Sequence, residues 1–196
     1  MTAADVAVLL FGGRRLPRPL TGLAVADTAD VDCRRLIVVG SDADLAAVLT
    51  RLLRTERLDV EVGHVPRWWR ARRARDGNPE RVPLIRDETG QVIVGAAYWL
   101  PEANERGARV HGEAVVDDTT LFEGEVTGVR IEPTPSTPGL RASALTRHMR
   151  PLRWVSGRAA QLGTTGALVV RDGVAAARPV RRSTFYRHTE GWLLVR

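Results

Sequence analysis

The chain has 196 residues, 44% of them hydrophobic, and its formal charge of +6 comes entirely from arginine, since no position is lysine. Such a chain buries a real core in one domain or two small interlocking ones, and the missing amine excludes Walker-type phosphate loops and Schiff-base or pyridoxal chemistry. The single cysteine, Cys33, excludes an internal disulfide or multi-cysteine metal site and makes the cytoplasm the expected compartment, as does the absence of a signal-like or membrane-spanning stretch.

Val6 to Phe11 is a continuous apolar run closed by Gly12-Gly13, and Leu36 to Val39 is a second, closed by Gly40; both read as buried parallel strands. Leu23 to Val25 is a short candidate strand between them. From Asp42 or Asp44 onward, Leu45, Val48, Leu49, Leu52 and Leu53 recur at helical spacing behind an aspartate N-cap. Val60 to Val65, closed by Pro66, is the next strand. Arg67 to Arg75 then packs five arginines and the pair Trp68-Trp69 into nine residues before the turn Asp76-Gly77-Asn78-Pro79, where the domain boundary is expected.

Beyond that turn the chain reads as strands: Val82 to Ile85, Gln91 to Trp99, Ala108 to Val116, Leu121 to Ile131, Ala167 to Val170, Phe185 to His188 and Trp192 to Val195. Glu132 to Gly139, with three prolines, is a loop, and Arg141 to Trp154 is basic and unassigned. The architecture expected is therefore an α/β front with a short parallel sheet, residues 1–76, followed by a β-rich, sandwich-like part, residues 77–196.

The segment Val38-Val39-Gly40-Ser41-Asp42-Ala43-Asp44-Leu45 resembles the nucleotide-binding segment of the diacylglycerol kinase and NAD kinase superfamily, bacterial lipid kinases in particular, whose pattern there is Gly-Gly-Asp-Gly-Thr. Val62-Gly63-His64-Val65-Pro66 is similar to the strand leading into that family's Pro-x-Gly-Thr loop, and Val169-Val170-Arg171-Asp172-Gly173 to its Asp-Gly-Glu segment. The resemblance implies ATP and magnesium as cofactors, Gly40, Ser41 and Asp42 beside the nucleotide, Asp42 near the metal, and Asp172 as the base that activates a lipid hydroxyl.

The departures are physical. Glycines let the backbone approach phosphates, whereas Ser41 and Ala43 carry side chains at two glycine positions and Asp44 replaces the threonine. A carboxylate roughly 4 Å from a phosphate charge costs about 1 to 4 kcal/mol per charge pair. Arg67-Trp68-Trp69 stands where the later phosphate loop belongs, Val174 replaces the final glutamate, and the chain is shorter than a full lipid kinase. These features define a degenerate, non-catalytic binding or regulatory module with no cofactor. An active divergent kinase using Asp42 and Asp172 is the alternative; the plain reading of the same residues is helix-start acids at Asp42 and Asp44 and a hairpin turn at Asp172-Gly173.

Other residues carry weaker signals. His64, His111, His148 and His188 lack zinc spacing, and Cys33 reads as inert despite Arg34-Arg35. Gly12-Gly13 with Arg14-Arg15 offers backbone N–H groups to an anion, although a plain turn needs the same glycines. The tryptophan and arginine cluster suits acidic surfaces, with Arg178, Arg181, Arg182 and Arg187 as further cations. Candidate partners are a lipid or other anionic ligand and a second copy of the chain, with nucleic acid ranked behind them.

Overall fold

The computed structural model describes residues 5–102 and 107–196. They form two compact units, Met1–Val82 with Glu190–Arg196, and Pro83–Thr189.

In the first unit, strands β1 (Val6–Leu10), β2 (Ala24–Ala26), β3 (Arg35–Val39), β4 (Glu61–His64) and β5 (Pro79–Val82) join a last strand, Trp192–Val195, in one sheet. The order is β2-β1-β3-β4, then the last strand, then β5, with only β5 antiparallel to its neighbour. The apolar runs VAVLL and RLIVV supply the buried centre, as a sheet covered on both faces requires. Helix α1 (Asp42–Arg54) buries Leu45, Ala46, Val48, Leu49 and Leu52 and packs on β3. Each such leucine contributes roughly 1.5 to 3 kcal/mol of transfer free energy, which outweighs the helix's weak intrinsic preference. Alternation along β3 turns Ile37 and Val39 the other way, into a cluster with Val8, Leu20, Val65 and the two alanines of a short helix, α2 (Ala71–Asp76).

The second unit is built from β6 (Ile85–Asp87), β7 (Val92–Ile93), β8 (Ala97–Leu100), β9 (Val110–Val116), β10 (Thr119–Val126), β11 (Val129–Pro133), β12 (Leu140–Ala144), β13 (Val155–Gly157), β14 (Ala159–Arg171), β15 (Val174–Ala175) and β16 (Val180–Arg187). The thirteen-residue β14 organises it. Its first half pairs with β9 and β16, its second with β8 and β15, and the register shifts between Gly163 and Ala167. Trp99 and Phe185, both fully buried, lie at the centre with ring centroids 6.0 Å apart. The indole N–H of Trp99 donates to Ser183 Oγ at 3.0 Å, so the one polar atom of this large side chain is satisfied. Asp87, wholly buried, accepts from Arg171 Nε at 2.6 Å and from the Thr89 and Gln91 amides.

The α/β front and β-rich part follow the sequence expectation, with local corrections. The segment 77–82, expected beyond the boundary, belongs with the first unit. Asn78 and Arg196 exchange two main-chain hydrogen bonds of 3.0 Å, and β5 pairs with the last strand, labelled β17. That strand, expected in the β-rich part, also lies parallel to β4. Leu-Leu-Val signals a strand but not its sheet, because pairing over such a separation leaves no local mark. The expected strand Val82 to Ile85 is broken at Pro83-Leu84, with Val82 ending β5 and Ile85 opening β6, and Gln91 to Trp99 and Leu121 to Ile131 are each interrupted. Of the expected strand Ala108 to Val116, β9 covers Val110 onward.

Candidate functional site

Three parallel strands of the first unit finish on one edge of the sheet. β1 runs into Gly12-Gly13, β3 into Gly40-Ser41, and β4 into Val65-Pro66. The strand order changes direction between β1 and β3, and open α/β sheets bind ligands outside the carboxyl ends of strands at such a reversal. Main-chain bonds hold this edge together, Phe11 N to the Val39 carbonyl at 3.1 Å and Val65 N to the Val38 carbonyl at 2.8 Å. Arg14 Nη1 adds a bond to the Pro66 carbonyl at 2.8 Å. Five sequence candidates, Gly12, Gly13, Gly40, Ser41 and Asp42, therefore meet on one edge.

Each has a local structural reason. Gly12 and Gly13 sit at φ of 63° and 65° inside a turn closed by Arg14 N donating to the Phe11 carbonyl, a conformation that two successive side chains would strain. Ser41 is the N-cap of α1. Its hydroxyl accepts from Asp44 N at 3.3 Å, and Asp44 Oδ2 accepts from both Ser41 N and Ser41 Oγ at 2.7 Å. The result is a reciprocal capping box, which satisfies two of the donors at this helix start, the Ser41 and Asp44 amides. Gly40 is required by the same box, because a Cβ there would lie 2.8 Å from Asp44 Cβ.

Behind the loop stands His64, mostly buried. Its Nε2 lies 3.3 Å from the Gly40 carbonyl, which can only accept, so this nitrogen carries the proton. Its Nδ1 lies 3.9 Å from Asp42 Oδ1, too far for a hydrogen bond. Burial pushes the imidazole below its ordinary value of 6.5, with Asp42 opposing the shift. The side chain of Asp42 itself is exposed.

Asp172 lies in the second unit, at φ 48° in the turn between β14 and β15. Its Oδ1 accepts from Gly95 N at 2.7 Å and Ala96 N at 3.0 Å, and its Oδ2 from Val94 N at 3.0 Å. Its own amide donates to the Ala96 carbonyl at 2.8 Å. The carboxylate thus closes the break between β7 and β8. Burial raises the Cys33 thiol, which removes the activated-thiolate reading. Among the described residues, no three His, Cys, Asp or Glu side chains are grouped to hold a metal. A groove of about 380 Å³ on the second unit is lined by Glu113, Val115, Gln161, Gly163, Arg182 and Thr184.

Sequence reasoning finds the edge but misses what occupies it. The spacing Ser41-x-x-Asp44 is a capping-box signature legible without coordinates. The approach of His64 to Gly40 has no such signature, since it depends on β3 and β4 being neighbours.

With this geometry in place, the fold is similar to that of solved NAD kinase and diacylglycerol kinase structures. The chain matches the crystal structure of an NAD kinase from Archaeoglobus fulgidus in complex with ATP at a TM-score of 0.63 and 13% identity, covering 97% of this chain and 93% of that one. It also matches a diacylglycerol kinase from Bacillus anthracis at a TM-score of 0.70 and 10% identity, covering 100% and 97%. A putative diacylglycerol kinase from the same organism gives 0.72 and 10%, covering 100% and 98%. No protein-family model and no curated protein matches the sequence.

Proposed function

We propose that this chain is a non-catalytic binding or regulatory module on a diacylglycerol-kinase-like fold, with a degenerate ATP site. The observation that carries this reading is the carboxylate of Asp44, which takes up the Ser41 amide and hydroxyl at the start of α1. Phosphoryl transfer depends on positioning the nucleotide and stabilising its charge. At this edge an internal anion already takes up the Ser41 amide and hydroxyl, and a second carboxylate, Asp42, stands exposed beside it.

The cation chemistry supports the same conclusion. Magnesium binds through one or two carboxylates plus the substrate's phosphates, so Asp42 serves only where the phosphates are held independently. The donor set at this edge does not meet that condition, since the later loop is the helical turn Trp68–Arg70. Asp172, the residue a kinase reading would use as base, spends both oxygens on main-chain amides.

The test is a phosphotransfer assay with radiolabelled Mg-ATP and diacylglycerol in mixed micelles. The expected result is no transfer above a protein-free blank. Transfer that disappears in D172N protein would establish the active-kinase alternative instead.

A further inference from the structure

The segment between β4 and β5 presents the most unusual surface of the first unit. Trp68 and Trp69 are 74% and 56% exposed, at the start of a helical turn rather than in a core. Arg67, Arg70, Arg72 and Arg73 are exposed around them. From Arg67 to Pro79 the sole acid is Asp76, and it lies against Arg75 at 3.6 Å. A contiguous patch of two indoles and four arginines therefore has no acidic counterweight of its own.

This surface is held rigidly from below. Ala71 and Ala74 are buried, and α2 approaches β4 so closely that a Cβ on Gly63 would lie 2.7 Å from the Ala74 carbonyl. Arg75 Nη1 donates to the Pro19 carbonyl at 2.7 Å, and the buried Arg35 donates to the Arg75 carbonyl. The small residues face inward and the indoles and guanidinium groups face out, so ordering the segment on contact costs little.

We propose that this patch, Arg67 to Arg73, docks the protein onto an anionic membrane surface. Tryptophan is favoured at the boundary between headgroups and acyl chains because it combines a large apolar body with one N–H donor. Arginines beside an anionic leaflet strengthen binding about fivefold each. The ring geometry favours lipid over nucleic acid. Trp68 and Trp69 meet edge to face at 87°, and the Arg67 guanidinium lies 5.2 Å from the Trp69 ring centre. That arrangement leaves no pair of parallel open faces on which successive bases would stack, whereas burial in a headgroup layer needs only area. The inference holds whatever the state of the nucleotide site.

The experiment is sedimentation of the full chain with vesicles of phosphatidylcholine alone or mixed with phosphatidylglycerol, at low and high salt. Binding is expected only to the mixed vesicles, weakening as salt rises. W68S/W69S is expected to weaken it at least tenfold, and R70E/R73E by a similar factor, with thermal melts unchanged because all four side chains are exposed. M149S/L152S, which alters a separate exposed apolar pair in the second unit, serves as a control. The proposal is overturned if the native chain ignores the mixed vesicles, if binding survives W68S/W69S, or if M149S/L152S abolishes it. Tight, salt-sensitive binding to single-stranded DNA by a chain that leaves vesicles untouched would assign the patch to nucleic acid.

Discussion

Asp44 Oδ2 lies 2.7 Å from both the main-chain nitrogen and the hydroxyl of Ser41, so helix α1 carries its own anion at its positive end. This contact also explains Gly40, whose missing side chain makes room for Asp44. D44A and S41A are each expected to destabilise the protein by about 0.5 to 2 kcal/mol, the usual cost of losing a helix cap, measured by urea unfolding. G40A should be damaging in the native background and milder in D44G, which removes both the Cβ and the carboxylate that the added methyl would strike. Additive costs in that double-mutant cycle would contradict the contact.

Asp172 is a structural tie on this account. D172A leaves three main-chain N–H groups without their charged acceptor and should cost about 1.5 to 3 kcal/mol or more. D172N should be milder, since asparagine keeps one acceptor oxygen and tolerates the left-handed backbone at φ 48°. A thermal melt series of the two variants separates them, and an unchanged D172A would remove the tie.

The pair Asp87 and Arg171 makes the second unit sensitive to the loss of one partner. R171M strands a wholly buried carboxylate and should cost about 3 to 5 kcal/mol. Denaturant midpoints would show this, and a change below about 1 kcal/mol would mean that Asp87 is satisfied by its turn alone.

His64 sets a pH dependence with a definite sign. Burial holds the folded-state value below the ordinary 6.5, so the unfolded chain binds the proton more readily. Its contribution to stability is complete above about pH 6.5 and declines as pH falls through that value toward the folded-state one. H64Q should flatten the profile there. D42N should steepen it, because Asp42 opposes the downward shift. A urea series across that range reads both.

Much of this was open to reading before coordinates. The strand, turn and helix from Leu36 to Leu53 are legible because apolar run, glycine and helical spacing agree, and the resemblance at Gly40 to Asp44 points to the fold that the structure has. What escaped depends on distant pairing. The strand Trp192–Val195 is locally plain, yet nothing in it says that it lies beside β4. β14 was only half legible, because Gly163-Thr164-Thr165-Gly166 lacks apolar alternation where the strand changes partners. The plain reading of Asp172-Gly173 as a turn agrees with its place between β14 and β15, but the amides of Val94 to Ala96 that Asp172 holds are 76 to 78 positions away.

The proposed function requires that the edge at Ser41 and Asp44 does not cradle a polyphosphate. Its most direct test is calorimetric titration of the native chain with Mg-ATP at moderate salt, with a thermal melt alongside. The account expects no binding heat and no rise in melting temperature. Micromolar binding would contradict it, and nucleotide at about a hundredfold excess over the dissociation constant would then add about 2.7 kcal/mol of stability.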